Sequence, residues 1–231
     1  MKKALACALL LGCALAAAAQ SATSHENRWY VSVQGADVLN LYENAFTYRD
    51  NGVDIDLFTL QAGAGLGYNF SEVFGVRTQL SFGSDSGAAN SAQTAGGGFF
   101  PYSFRHLDLF ADAVLNLSGL EGRVTPFRTL LYAGVGGAYT FGFTDSGHPW
   151  QVISGENFAP GFRMGGIAQY TLPSGVGFFI DLGGEFYGDD YSGLKPYEED
   201  QKSFNGYAGF PFDLRGVLTL GVMYLFKQHK Q

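Results

Sequence analysis

Ser81, His106 and Asp108 are the residues of this chain whose types could assemble a nucleophilic centre: a hydroxyl, an imidazole to take its proton and a carboxylate to orient the ring. His106 and Asp108 stand two residues apart, which puts both on one face of an extended strand, and Ser81 has matching parity on the strand segment before it. No catalytic motif surrounds His106. The same three residues fit an interior hydrogen-bond network, and that is the reading preferred, with catalysis kept as a candidate role.

The parity that gathers these three gathers a larger charged set. Arg77, Arg163 and Arg215 fall on one face with Asp108, Asp112, Asp181 and Glu185, together with Gln61, Gln79 and Gln169. Three cations against four anions nearly balance. Isolated charges in a confined interior are expensive to desolvate, whereas paired and hydrogen-bonded ones are tolerated. The expectation is a packed polar plug, with a narrow gated path as the alternative use of the same residues. His25, His148 and His229 are scattered and lack carboxylate spacing, so no metal site is expected, and no cofactor motif occurs.

The elements that must position these groups are strands. Eight segments alternate with period two, at 29–39, 57–68, 74–83, 104–117, 128–141, 158–171, 176–187 and 214–226. In the second, Phe58, Leu60, Ala62, Ala64, Leu66 and Tyr68 oppose Thr59, Gln61, Gly63, Gly65 and Gly67. In the fourth, Leu107, Leu109, Ala111, Ala113, Leu115 and Leu117 oppose His106, Asp108, Asp112 and Asn116. A slip of one residue would exchange the faces.

Alternation alone leaves open whether the apolar face points in, as in a soluble ligand-binding barrel, or out into lipid. Two features decide for lipid. The polar face is crowded with Gly and Ser and suits a narrow interior. Every lysine after Lys3 lies outside the strands, at Lys195, Lys202, Lys227 and Lys230. Connections alternate long (40–56, 84–103, 142–157, 188–213) and short, the habit of membrane barrels. Aromatic rings collect at two levels suited to membrane interfaces, Tyr68, Phe70, Phe74, Tyr170 and Phe226 below and Phe58, Phe82, Phe104, Phe141 and Phe186 above. The fold expected is all-β, an eight-stranded antiparallel up-and-down transmembrane β-barrel over 29–226.

The start of the chain gives its compartment. Lys2-Lys3, an apolar run and Ala17-Ala18-Ala19 form a secretory signal peptide, 1–19. A lead, 20–28, precedes the barrel, and a tail, 227–231, follows it. Both cysteines, Cys7 and Cys13, fall in the removed segment, so the mature barrel has no thiol chemistry. Without Lys2 and Lys3 twelve basic residues face 21 acidic ones, and no basic cluster occurs, which argues against nucleic acid as a partner.

The last strand ends Thr219-Leu220-Gly221-Val222-Met223-Tyr224-Leu225-Phe226. It resembles the C-terminal signal of outer-membrane barrels, carried by Thr219, Gly221, Tyr224 and Phe226, and that implies recognition by the barrel-assembly machinery. With the leader and eight strands, the chain resembles the OmpA/OmpX-like family of small outer-membrane β-barrels. The resemblance implies the outer membrane of a Gram-negative bacterium, lipid and lipopolysaccharide as surroundings, and a non-enzymatic structural, envelope-integrity or surface-interaction role carried by the extracellular loops toward an unknown ligand. A narrow channel is the alternative, and a lipid A-modifying enzyme using Ser81, His106 and Asp108 the third. In the loops, Asp189, Asp190, Glu198, Glu199 and Asp200 read as solvated charge, with a divalent-cation site as the alternative. Phe99, Phe100, Trp150, Tyr191, Tyr197, Tyr207 and Phe210 either cap the barrel mouth or form an adhesive surface.

Overall fold

The computed structural model describes residues 24–41, 58–90, 99–122, 124–145, 156–188, 191 and 212–227. The expected leader, 1–19, and the acidic residues Asp189, Asp190, Glu198, Glu199 and Asp200 lie outside them, as do Trp150, Tyr197, Tyr207 and Phe210.

Eight strands follow one another: β1 Arg28–Leu41, β2 Phe58–Asn69, β3 Phe74–Asn90, β4 Phe99–Asn116, β5 Phe127–Asp145, β6 Glu156–Thr171, β7 Val176–Gly188 and β8 Phe212–Leu225. Each pairs antiparallel with its neighbours in chain order, and β8 pairs with β1 to close the barrel. A walk across the ladders from Trp29 passes Tyr68, Val76, Ala113, Ala133, Met164, Gly184 and Gly216, and returns to β1 at Leu39. Closure with so large a stagger tilts the strands strongly and leaves an interior that side chains can fill. The lower end carries the short connections and the lead. One of these connections holds a single helical turn, α1 Leu117–Leu120, whose start is capped by the Asn116 side chain accepting from the Ser118 N–H.

The two faces are inverted relative to a water-soluble protein. Leu60 is 77 % exposed and Val135 70 %, while His106, Asp108 and Arg215 are fully enclosed. An outer surface of Val, Leu, Ile and Phe on all eight strands is stable only in an apolar solvent, so the barrel is built for a bilayer. Trp29 and Tyr68 pack together at the lower rim, ring centroids 4.9 Å apart, and Phe82 lies 6.5 Å from Phe141 near the upper one. Phe104, expected in that upper ring, instead points inward and is 1 % exposed. It shares the parity of His106 and Asp108, so alternation places it in the lumen once the strand extends that far.

The strands run further at the upper end than apolar alternation indicates. β3 and β4 stay paired up to Asn90↔Phe99, so the connection expected at 84–103 shortens to 91–98. Ladder hydrogen bonds do not need apolar side chains, and above the belt the outward positions turn polar, with Ser84, Ser103, Arg105 and Thr144 exposed. The β4–β5 register shifts between Ser103 and Arg105. There Gly142, at φ 66°, supplies the left-handed residue of a β-bulge. The shift brings Phe143 into the lumen, stacked on Phe104 at 5.0 Å. Gly142→Val forces a branched side chain into that conformation, so it is expected to cost about 1–2 kcal/mol in urea unfolding.

Candidate functional site

The lumen is layered, and the register sets the layers. Arg77↔Asp112, Asp112↔Gly134 and Gly134↔Arg163 are ladder partners, so β3 and β6 deliver two guanidiniums to one carboxylate on β4 at mid-height, with Gly134 of β5 leaving room between them. Arg163 donates from Nε to Asp112 Oδ1 at 2.8 Å and from Nη2 to Oδ2 at 2.7 Å, a bidentate grip. Arg77 donates from Nε to the same Oδ2 at 2.7 Å and from Nη1 to Asp181 at 3.2 Å. Tyr132 donates its hydroxyl to Asp181 at 2.9 Å, and Gln79 accepts from Arg163 at 2.8 Å. Both guanidiniums also lie over rings, Arg77 over Tyr132 and Arg163 over Phe110. The hydroxyl of Tyr132 occupies the space that a Cβ at Gly183 would need, which is why that inward position is glycine.

A second layer lies above, centred on Arg215. Its Nη1 donates to Tyr191 at 2.8 Å and Asp108 at 3.3 Å, and its Nη2 to Gln61 at 2.9 Å. Glu185 stands 3.5 Å away and accepts from Tyr187 at 3.0 Å. Asp85 accepts from Tyr191 at 2.5 Å, Thr59 at 2.6 Å and Asn40 at 3.2 Å. Over this layer Tyr102, Phe104, Phe143, Tyr187 and Tyr191 form a buried aromatic lid. Of the loop aromatics, Tyr191 therefore caps the lumen; the side chains of the others lie outside the described residues.

The seven charged residues expected in the lumen are all buried there, and their ion pairs join the two layers, since Arg163 also reaches Glu185 at 3.8 Å. Gln169 has the same parity but lies near the lower end and donates to Thr171 at 3.0 Å. Sequence reasoning misses Asp85, Tyr132, Tyr187 and Tyr191 as members of this network. Asp85 continues the odd-numbered parity of Arg77, Gln79 and Ser81, and that is the available signal.

The triad residues lie side by side but do not form a relay. Ser81 is the ladder partner of Asp108, and His106 Nδ1 is 3.0 Å from both oxygens of Asp108. His106 Nε2, however, has no hydrogen-bond partner among the described residues, and its nearest carboxylate is Asp85 at 3.8 Å. No hydrogen bond joins Ser81 to His106 among the described residues, and all three are buried beneath the aromatic lid. A nucleophile needs its base within hydrogen-bond reach and a path for substrate, and neither is present among the described residues. No cluster of His, Cys, Asp or Glu among the described residues is arranged to hold a metal ion. Of the residues expected to form an assembly signal, Thr219 is buried in the lumen while Tyr224 and Phe226 face outward at the lower rim, with ring centroids 5.4 Å apart.

Below Arg77 the lumen turns apolar, with Val114, Leu130, Ile167, Phe179, Met223 and Leu225 packed together. The lead closes the floor. Glu72, in the β2–β3 turn, accepts through one oxygen from the Ser24 hydroxyl, from the His25 N–H at 2.8 Å and from the Glu26 N–H at 3.2 Å. His25 is thereby drawn inside, 1 % exposed. Burial, then the Arg128 and Arg28 guanidiniums, hold its imidazole down to a pKa of about 3.

The chain matches no family model and no curated protein. Among solved structures it is similar to a major outer membrane protein from Thermus thermophilus, at 18% identity over 86% of this chain and 99% of that one, with a TM-score of 0.52. It also aligns with the outer membrane protein OprG from Pseudomonas aeruginosa, at 13% identity, 89% and 98% coverage and a TM-score of 0.49. With Neisserial surface protein A the figures are 14% identity, 86% and 97% coverage and a TM-score of 0.48. The likeness to the Thermus protein shows a fold that outer-membrane proteins use.

Proposed function

We propose that this chain is a non-enzymatic integral protein of the Gram-negative outer membrane, a filled barrel whose interior is a strut and whose interactions with the outside are carried by the connections at its upper end. One observation carries the reading: the Arg77–Asp112–Arg163 bridge ties three strands, β3, β4 and β6, together inside the lumen with every charged group paired and buried. Ions cannot pass without breaking it, and breaking a buried pair leaves an uncompensated charge in a low-dielectric interior. Among the described residues the reactive groups of the lumen are buried beneath the aromatic lid, so we assign specificity to the long connections, on rims presented by a rigid scaffold. The outer belt would be solvated by lipid and lipopolysaccharide, with the Thr219 to Phe226 segment presented to the barrel-assembly machinery.

The test is conductance. Protein refolded from denaturant, shown to be folded by heat-dependent gel mobility, is expected to give no steady current in a planar bilayer. Steady porin-scale steps would overturn the strut and favour a channel.

A further inference from the structure

The floor of the barrel holds donors with nothing to donate to. Arg28 pairs with Asn69 across the β1–β2 ladder, Arg128 lies at the start of β5 at the same end, and the docked lead places His25 near both guanidiniums. Five buried nitrogens in these side chains have no hydrogen-bond partner among the described residues: both ring nitrogens of His25, Arg28 Nε, Arg128 Nε and Asn69 Nδ2. His25, Asn69 and Arg128 are each at least nine-tenths buried. In the layers above, every guanidinium meets carboxylates. Here the nearby carboxylate, Glu72, has one oxygen taken by three donors of the lead. Neither Arg28 nor Arg128 makes an ion pair with a carboxylate among the described residues, so their charge is uncompensated at close range.

We infer that Arg28, Asn69, Arg128 and His25 form an oxyanion site of the phosphate class at the floor of the barrel. Guanidinium forks match phosphate oxygens, and an amide N–H adds a further donor. A neutral imidazole offers one donor and one acceptor. Hydrogen phosphate satisfies both, because near neutral pH it carries acceptor oxygens and an O–H; sulfate has no O–H to give. The phosphate can come free from solution or as the monoester headgroup of a lipid at the lower rim, where Trp29 and Phe226 face outward.

The full mature chain, labelled with 15N-histidine, is refolded in phosphate-free maltoside micelles at pH 7, and inorganic phosphate is titrated against sodium chloride at constant ionic strength. The His25 ring signals, identified by their loss in His25→Gln, are expected to shift saturably in the millimolar range while those of His106 stay in place. Arg128→Gln is expected to weaken the response by about tenfold or more, and sulfate to act more weakly than phosphate. Bilayers of phosphatidylcholine with and without phosphatidic acid separate the sources. His25 signals at the bound position only with phosphatidic acid assign the headgroup; signals at the unbound position in both assign free phosphate. No saturable shift with either source, or a shift that Arg128→Gln leaves unchanged, overturns the site. Arg28→Gln serves as the second variant should Arg128→Gln fail to refold. The outcome is independent of whether the lumen conducts.

Discussion

Asp112→Ala is expected to lower the unfolding free energy of the barrel by about 3–5 kcal/mol, the range for removing one partner of a buried ion pair. Asp112 receives three hydrogen bonds from two guanidiniums, and its side chain is fully enclosed. Its loss leaves Arg163 with Gln79 and a long contact to Glu185, and Arg77 with the single bond to Asp181. Urea unfolding in lipid vesicles, followed by heat-dependent gel mobility, measures the change. Asp181→Ala is the calibrating comparison. Arg77 then keeps Asp112, and Tyr132 loses only its acceptor, so the cost should be clearly smaller. Equal costs for the two would mean that the bridge is not centred on Asp112.

Asp112→Asn separates shape from charge. The amide can keep one oxygen acceptor but turns its other end into a donor facing two guanidiniums, so it should recover little of the lost stability. An Asn variant as stable as the parent would show that packing against Phe110 and Tyr132, not ion pairing, holds the arginines in place.

The strands are legible in the sequence because a bilayer constrains both faces of every strand at once. Leu60 must meet lipid while Gln61 meets the lumen, so period two persists wherever the belt does. It stops being informative where the belt ends. Residues 84–90 are small or polar, without apolar alternation, and read as a loop, although the ladder continues through them; Asp85 escapes notice for that reason, and Phe104 reads as an outward ring. Phe143 cannot be placed by parity, because the bulge at Gly142 changes which residues face inward. Height in the lumen is also invisible. Gln79 and Gln169 share a parity, yet only Gln79 meets Arg163, since strand stagger separates their levels. The closed floor depends on Glu72 in a turn binding the backbone of a segment that carries no periodic pattern.

That floor should open as the pH falls. The docked imidazole of His25 resists protonation down to about 3, whereas a free one accepts a proton near 6.5. Between those values the undocked lead binds a proton that the docked lead does not, so docking is stabilised above 6.5 and loses about 1.4 kcal/mol for each pH unit below it. At pH 5 the loss is about 2 kcal/mol, roughly a thirtyfold change in the docking equilibrium. Burial sets this direction first, and Arg128 from β5 and Arg28 from β1 add to it by repelling the proton, while Glu72 in the turn is committed to the lead's own donors. Hydrogen-exchange protection factors at His25 and Glu26, measured from pH 7 to 5 in phosphate-free buffer, are expected to fall while those of the strands hold. His25→Gln should remove the pH dependence without undoing the Glu72 contacts, because those are made to backbone N–H groups and to Ser24. Protection that stays constant, or rises, as the pH falls would mean that the imidazole is not desolvated between the two arginines, and that the lead closes the barrel by its backbone alone.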